Sequence, residues 1–378
     1  MTKKLLTILI LFNTTFCFSQ NWERIDSIFA PSGVTVSSFT APVFGDLDGD
    51  NDLDLILGSF DDKIHFFENI GSAVNPKFKE DTSVISPIYA NGFQFTNSYY
   101  PALVDLDNDS DFDLVIGGYN KLLYYANIGN QLNPIFQKGD TTIFSNVNID
   151  IGTDARQAFA DLDNDGDMDL IVGIGESLFG GPTAGISMGF RNIGTTTSPM
   201  FQRDDALVSG IPDVGLNAYP ALADLDNDGD YDLLIGRDGL TFYYYKNNGN
   251  SSAPVWSREF TTFANIESTN YWKDPTFADL DGDSDFDLIY GTDDGKINFY
   301  EDTGSAASPQ FQFNPEYFVI HKVDGSSTVS FADFDSDGDL DLLSGSLFNN
   351  LQYFQNMGTS AQPKFEKKST IFTSLSIG

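Results

Sequence analysis

Cysteine is all but missing from this chain of 378 residues: Cys17 is the single one, so disulfides do not staple the fold. Histidine is nearly as scarce, with only His65 and His321. His65 lies in the apolar run KIHFFEN and reads as an ordinary strand residue. No H-E-x-x-H or phosphate-binding glycine loop occurs, so the usual signatures of zinc-protease and nucleotide chemistry are absent. Basic residues number 20 against 55 acidic ones, a net charge of −35. Nucleic acid and anionic membrane surfaces both need a basic stripe, so neither is an expected partner.

Long apolar runs are missing too. The first twenty residues, MTKKLLTILILFNTTFCFSQ, hold a run too short to span a bilayer. Lys3 and Lys4 precede it and Cys17-Phe18-Ser19 follow, which reads as a secretory signal peptide over residues 1–19. Phe16 is too bulky for a lipoprotein cleavage site at Cys17. The expectation is one domain over 20–378, secreted to the medium, cell surface or periplasm and not inserted in a membrane. No amphipathic helical stretch is visible after the leader.

What the chain has in excess is aspartate on alternate positions. DLDGDNDLDL starts at Asp46, DLDNDSDFDL at Asp105, DLDNDGDMDL at Asp161, DLDNDGDYDL at Asp224, DLDGDSDFDL at Asp279 and DFDSDGDLDL at Asp333. The starts are 59, 56, 63, 55 and 54 residues apart, so this is an array of six repeats. Each block leads into an apolar run and a glycine (LILG, LVIG, LIVG, LLIG, LIYG, LLSG), then a second run such as KLLYYAN or TFYYYKN. A turn glycine follows, at Gly71, Gly129, Gly194, Gly249, Gly304 or Gly358, and a proline stands five residues later. Two residues beyond that proline sits Phe78, Phe136, Phe201, Trp256, Phe311 or Phe365.

Short runs rich in aromatic and β-branched residues, bounded by Gly, Asn and Pro, are strands. Each repeat supplies four, here A to D, with the acid block between A and B. Units of this size with four antiparallel strands suit an all-β propeller; an open β-solenoid usually has shorter repeats. Six A–B–C sets are accompanied by seven D-like segments, because WERIDSIFA at 22–30 resembles a D strand as well. That leaves six blades and a spare strand, or seven blades with one incomplete, and the extra segment favours a seven-bladed design with an unusual end.

Read as positions one to nine, each block offers five carboxylates. They are Asp46, Asp48, Asp50, Asp52 and Asp54; Asp105, Asp107, Asp109, Asp111 and Asp113; and Asp161, Asp163, Asp165, Asp167 and Asp169. The other three sets are Asp224, Asp226, Asp228, Asp230 and Asp232; Asp279, Asp281, Asp283, Asp285 and Asp287; and Asp333, Asp335, Asp337, Asp339 and Asp341. Oxygen ligands so spaced suit a hard cation taking six to eight of them, Ca²⁺ before Mg²⁺. The thirty aspartates carry most of the net charge; without them it falls to −5.

Position six needs a sharp turn. It is Gly166, Gly229 and Gly338 in three loops, Asn51 in one, and Ser110 and Ser284 in two, so the Gly loops are expected to form best and the Ser loops to bind most weakly. An EF-hand is excluded, because position twelve is Leu57, Ile116, Val172, Ile235, Tyr290 or Ser344 instead of an acid. The chelating oxygens must then close at position nine, where strand alternation points Asp169 towards the ion and Leu170 into the core.

D-x-D-x-D-G-x-x-D-L-x-x-G resembles the FG-GAP, or VCBS-type, repeat of integrin α-subunit propellers and many bacterial secreted proteins. The resemblance implies one calcium ion in each A–B hairpin, up to six in all. Positions one, three, five and nine would give side-chain oxygens and position seven its backbone carbonyl. The aspartates at position seven are departures in detail that tune affinity.

Two functions are open. One is an adhesion or interaction module for a protein or glycan partner. The other is a polysaccharide-active enzyme, a lyase or glycosidase, or its substrate-binding domain. The first is favoured, because the metal loops leave no acid–base pair free. A partner site is expected on the face opposite the acid blocks, near the glycine-rich insertion of repeat three and the aromatics Tyr99, Tyr100, Tyr219, Tyr271 and Trp272.

Overall fold

The computed structural model describes residues 40–368, apart from 60–62, 73–75, 91–99, 119–120, 131–132, 140–142, 145–154, 176–184, 196, 240, 251–252, 267–270, 306, 315–322, 324, 326 and 347–350. The leader, the segment 22–30, Tyr99, His321 and most of the repeat-three insertion therefore lie outside the described residues.

Six antiparallel sheets, each of four consecutive strands, form six blades. Blade 1 is β1 (Ala41–Gly45), β2 (Asp54–Gly58), β3 (Ile64–Asn69) and β4 (Phe78–Glu80). Blade 2 is β5 (Tyr100–Val104), β6 (Asp113–Gly118), β7 (Lys121–Asn127) and β8 (Phe136–Lys138). Blade 3 is β9 (Ala155–Ala160), β10 (Asp169–Ile174), β11 (Ser187–Asn192) and β12 (Phe201–Arg203). Blade 4 is β13 (Tyr219–Ala223), β14 (Asp232–Gly236), β15 (Tyr243–Asn247) and β16 (Trp256–Glu259). Blade 5 is β17 (Asp274–Ala278), β18 (Asp287–Gly291), β19 (Ile297–Asp302) and β20 (Phe311–Phe313). Blade 6 is β21 (Ser327–Ala332), β22 (Asp341–Ser346), β23 (Gln352–Asn356) and β24 (Phe365–Lys368).

The A strands touch in a closed circuit, β1–β5–β9–β13–β17–β21 and back to β1. The array is thus a six-bladed propeller, and the seven-bladed expectation is corrected. Closure is made by the same contact as the junctions between blades 2 and 6. There the glycine in or after the apolar B run faces the backbone that enters the next blade: a Cβ on Gly236 would lie 1.9 Å from the Lys273 carbonyl oxygen, and on Gly291 2.0 Å from that of Ser327. At the seam, Gly345 meets the Thr40 carbonyl oxygen at 2.1 Å in the same sense, which leaves no width for a seventh sheet. Thr328 Oγ1 donates to Thr40 O at 2.7 Å and Ser346 N to Thr40 Oγ1 at 3.0 Å.

B strands are covered on both faces and both edges, which is why they are unbroken apolar runs. The core is divided into six apolar clusters, each drawing on two neighbouring blades. The aromatic after each proline is the anchor of its outer strand: Phe78, Phe136 and Phe201 are all 0 % exposed. Burying a side chain of this size contributes about 2–3 kcal/mol.

The D–A connections cap these anchors from the preceding blade. Phe144 stacks on Phe201 at 5.1 Å and Phe263 on Phe311 at 4.7 Å, while Trp256 Nε1 donates to Leu207 O at 2.7 Å. One such cap is a helix, α1 (Thr82–Ala90), contrary to the expectation of none. Its sequence TSVISPIYA hides it, since Pro87 removes a donor. Ser86 Oγ takes up the Ser83 carbonyl instead at 2.9 Å, and Asp81 Oδ1 caps the start by accepting from Ser83 N at 2.7 Å. Ile85 and Ile88, one turn apart, enter the cluster that holds Phe136. A short 3₁₀ helix, Asp205–Val208, does the same in blade 3 through Leu207.

Candidate metal centres in the acidic hairpins

Each acid block forms the hairpin from strand A to strand B, so all six lie on one face of the ring. Two residues per hairpin take the left-handed conformation. At position six φ is 69° for Asn51, 76° for Ser110 and Ser284, 92° for Gly166, 90° for Gly229 and 93° for Gly338. The sharp turn expected there is present in all six, and the serines adopt it despite their Cβ. Position four is left-handed as well (Gly49, Asn108, Asn164, Asn227, Gly282 and Ser336), a feature the sequence pattern did not disclose.

The backbone so coiled presents its N–H groups to the carboxylates. The position-one Oδ2 accepts from the position-six N in every hairpin, at 3.0–3.1 Å. The position-five Oδ1 accepts from the position-seven N, as in Asp165 with Asp167 N at 3.1 Å. In five hairpins one oxygen from each of positions one, three and five converges within 4.8 Å: Asp46, Asp48, Asp50; Asp105, Asp107, Asp109; Asp161, Asp163, Asp165; Asp224, Asp226, Asp228; and Asp279, Asp281, Asp283. The hairpin from Asp333 shares the same backbone bonding.

Position nine is placed otherwise. Asp54, Asp113, Asp169, Asp232, Asp287 and Asp341 are each at most 1 % exposed. Their Oδ1 atoms accept from the N–H of the last residue of strand C, from Asn69 at 2.8 Å through Asn356 at 2.6 Å. Their Oδ2 atoms accept from the position-two N in five hairpins, Leu47 to Asp54 at 3.1 Å among them. Hydroxyls of Tyr124, Tyr244 and Tyr353 add a bond to Asp113, Asp232 and Asp341. The position-nine carboxylate thus ties the hairpin to strand C, whatever further lone pair it offers to an ion. The strut continues: Oδ1 of Asn69 accepts from Gly71 N at 3.1 Å and Lys77 N at 2.8 Å, which fixes the C–D turn. The Asn, or Asp302, closing strand C and the tyrosines were missed from sequence, although the repeated "N" of FFEN, YYAN and YYYKN carried the signal.

Burial pushes these strut carboxyls up, to about 8 in Asp54 and Asp287, about 7 in Asp113, Asp169 and Asp341, and about 6 in Asp232. At position seven, burial and then the neighbouring carboxylates raise Asp52 to about 7 and Asp111, Asp167 and Asp339 to about 6.

The hairpins also hold carboxylate oxygens that are buried and bonded to nothing in the protein. They are Oδ1 of Asp105 and Asp161 at position one, of Asp107, Asp163, Asp226 and Asp335 at position three, and of Asp52, Asp111, Asp167 and Asp339 at position seven. A buried acceptor without a donor is strongly unfavourable, and an anionic one more so. An all-oxygen, all-anionic donor set around such atoms fits a hard divalent cation.

The opposite face is irregular. At the start of the A strands Arg156 closes the axial channel, its guanidinium 3.2 Å from the Tyr100 ring centroid and 4.7 Å from that of Tyr219, with Asp274 Oδ2 at 2.7 Å from Nη1. Two of the predicted partner aromatics are therefore engaged within the channel. Tyr271 is 56 % exposed, and beside blade 5 Trp272 is held at φ 55° by Asp238, which accepts from its N at 2.9 Å. On blade 4, Arg258 lies between Tyr243, at 3.6 Å, and Phe260, at 4.7 Å, and Phe260 is 67 % exposed. Among the described residues no helix is long and apolar enough to cross a membrane. His65 is paired with Glu80 at 2.9 Å inside blade 1, as a strand residue would be.

No curated protein matches the sequence. Among solved structures the chain is similar to an Agrocybe aegerita lectin that recognises non-reducing terminal N-acetylglucosamine, at 16 % identity over 88 % of this chain and 79 % of that one, with a TM-score of 0.48. It is also similar to BBS1N in complex with ARL6DN, at 11 % identity over 84 % of this chain and 93 % of that one, with a TM-score of 0.43. The profile of the FG-GAP-like repeat matches residues 46–116, 105–172, 224–290 and 279–344, each match running from one acidic hairpin to the B strand of the next, and the chain belongs to that repeat family.

Proposed function

We propose that this protein is a secreted, calcium-stabilised propeller that serves as an interaction module for a protein or glycan partner. The observation that carries the calcium reading is the set of buried, unbonded carboxylate oxygens at positions one, three and seven. Positions one, three and five hold the ion, position nine braces the hairpin, and position seven adds a carboxylate beside it. The ion supplies the positive charge that lets these anions stay buried and close together. Its role is structural, and the partner binds elsewhere.

That partner surface is the face away from the hairpins, around blades 4 and 5, where Phe260 and Tyr271 are exposed and the guanidinium of Arg258 lies 4.7 Å from the Phe260 ring. Aromatic faces beside a guanidinium suit sugar rings or extended peptide, both of which stack and accept hydrogen bonds. A glycan and peptide array in calcium buffer tests the reading. Binding that falls at least tenfold in Tyr271→Ala or Arg258→Ala supports it. Release of cleavage products from a polysaccharide substrate overturns it in favour of an enzyme.

A further inference from the structure

We infer that the penultimate residue of strand C grades the six hairpins by metal affinity, so that the ring holds two tight, two intermediate and two weak sites. This rests on the calcium reading above and concerns how that reading differs between blades.

The residue in question stands next to the position-three carboxylate, and its charge changes from blade to blade. In blade 3, Arg191 pairs through Nη1 with Asp163, and its Nε is fixed by Asp204 at 3.0 Å. In blade 4, Lys246 Nζ pairs with Asp226. In blade 6, the neutral Gln355 Nε2 donates to Asp335. Blade 2 has Ala126 there. Blades 1 and 5 have an additional acid: the charge of Glu68 acts on Asp48, and that of Glu301 on Asp281.

The position-three aspartates are the side chains on which a ligand is most plainly required. Asp226 is 7 % exposed and its Oδ1 is unbonded, although Oδ2 is held by Lys246. Asp163 has the same division, one oxygen on Arg191 and one on nothing. An internal cation therefore satisfies half of the carboxylate and leaves the other half facing the converging oxygens of Asp161 and Asp165, or of Asp224 and Asp228.

The formal charge around the ion is −6 in blades 1 and 5, −5 in blades 2 and 6, and −4 in blades 3 and 4, counting the five aspartates and the strand-C residue. Ligand charge is one of the two means by which oxygen sites tune calcium affinity. A fixed cation a few ångströms from the ion also opposes its entry directly. Arg191 is tied to Asp204 and cannot swing away freely, so blade 3 holds the weakest site.

This order opposes the one expected from the turn residue. Gly166 and Gly229 give blades 3 and 4 the least strained hairpins, while blade 5 carries a left-handed Ser284. The Asp279 hairpin discriminates: weak by its turn, tight by its charge.

Calorimetric titration of the demetallated full-length chain with Ca²⁺ tests the grading. The expected isotherm resolves a tight class of two sites. The double variant Glu68→Gln, Glu301→Gln loses that class, with affinity falling on the order of tenfold at those two sites. Lys246→Gln, made separately and at the protein surface, gains affinity at one weak site by a similar factor, so a defect in one variant does not decide the outcome. Six equivalent sites unmoved by either change overturn the grading while leaving the calcium reading intact. Absence of any calcium uptake by the parent chain overturns both.

Discussion

The two faces of the ring are built on opposite plans. On one, a hairpin of five aspartates and a strut to strand C recur six times with bond lengths that differ by a few tenths of an ångström. On the other, among the described residues, the blades differ: one has helix α1, one a 3₁₀ turn, one the Phe260–Arg258–Tyr243 stack. What recurs is what every blade needs in order to exist, namely hairpin closure and the blade junction. What varies serves a single copy, and specificity for a partner belongs there. Substitutions at repeated positions should act on stability; substitutions on the irregular face should act on binding alone.

The largest effect is expected at the junction glycines. Gly236→Ala drives a methyl to 1.9 Å from the Lys273 carbonyl, so the blade 4–5 interface must open. A loss of about 3 kcal/mol or more in chemical denaturation is expected. A loss under about 1 kcal/mol would show that blades do not abut as described.

Next come the struts. Asp287→Ala removes both acceptors from the buried N–H groups of Asp302 and Leu280, and about 2–4 kcal/mol should be lost with calcium present or absent. A variant that is destabilised only in calcium would instead make position nine a ligand and no strut.

The metal-free protein should respond to pH with a definite sign. The strut carboxyls keep their protons in the folded chain up to about pH 6 to 8, because burial raises them above the unfolded value near 4. Between those limits the folded state binds more protons than the unfolded one. This contribution is therefore complete below about pH 4 and is lost as pH rises towards 8. Without calcium the melting temperature should fall from pH 5 to pH 8; with calcium, whose ligands must be ionised, that fall should vanish or reverse. Equal slopes in the two conditions would argue against metal in the hairpins.

The smallest effect is at the turns. A Cβ on Gly166 meets nothing within 4 Å, so Gly166→Ala isolates the conformational term of a left-handed residue, about 1 kcal/mol. Ser284→Gly should recover part of that amount in its own hairpin. By contrast Tyr271→Ala should change stability by less than about 0.5 kcal/mol, since the side chain is exposed.

Much of the repeated face was legible in the sequence, because a period of 54 to 63 residues exposes every shared requirement six times. Strands, hairpins, the position-six turn and the all-β propeller follow from that. The bonds from position nine to strand C did not. Alternation along a strand fixes which side Asp169 faces, but its partner Asn192 N comes from 23 residues further on and belongs to the sheet. The blade count was not legible either, because seven D-like segments admit six blades or seven, and only the contact of Gly345 with Thr40 at the seam decides for six. Helix α1 was hidden by serine, threonine and Pro87, whose lost bonds are replaced by side chains that no periodicity records.

Differential scanning calorimetry of the full chain, with excess calcium and with chelator, tests the central claim most directly. Each site saturated at 100 times its dissociation constant contributes about 2.7 kcal/mol, so loss of even two or three should lower the melting temperature by about 7–11 °C, with recovery when calcium is restored. Superimposable melts in the two buffers would contradict it.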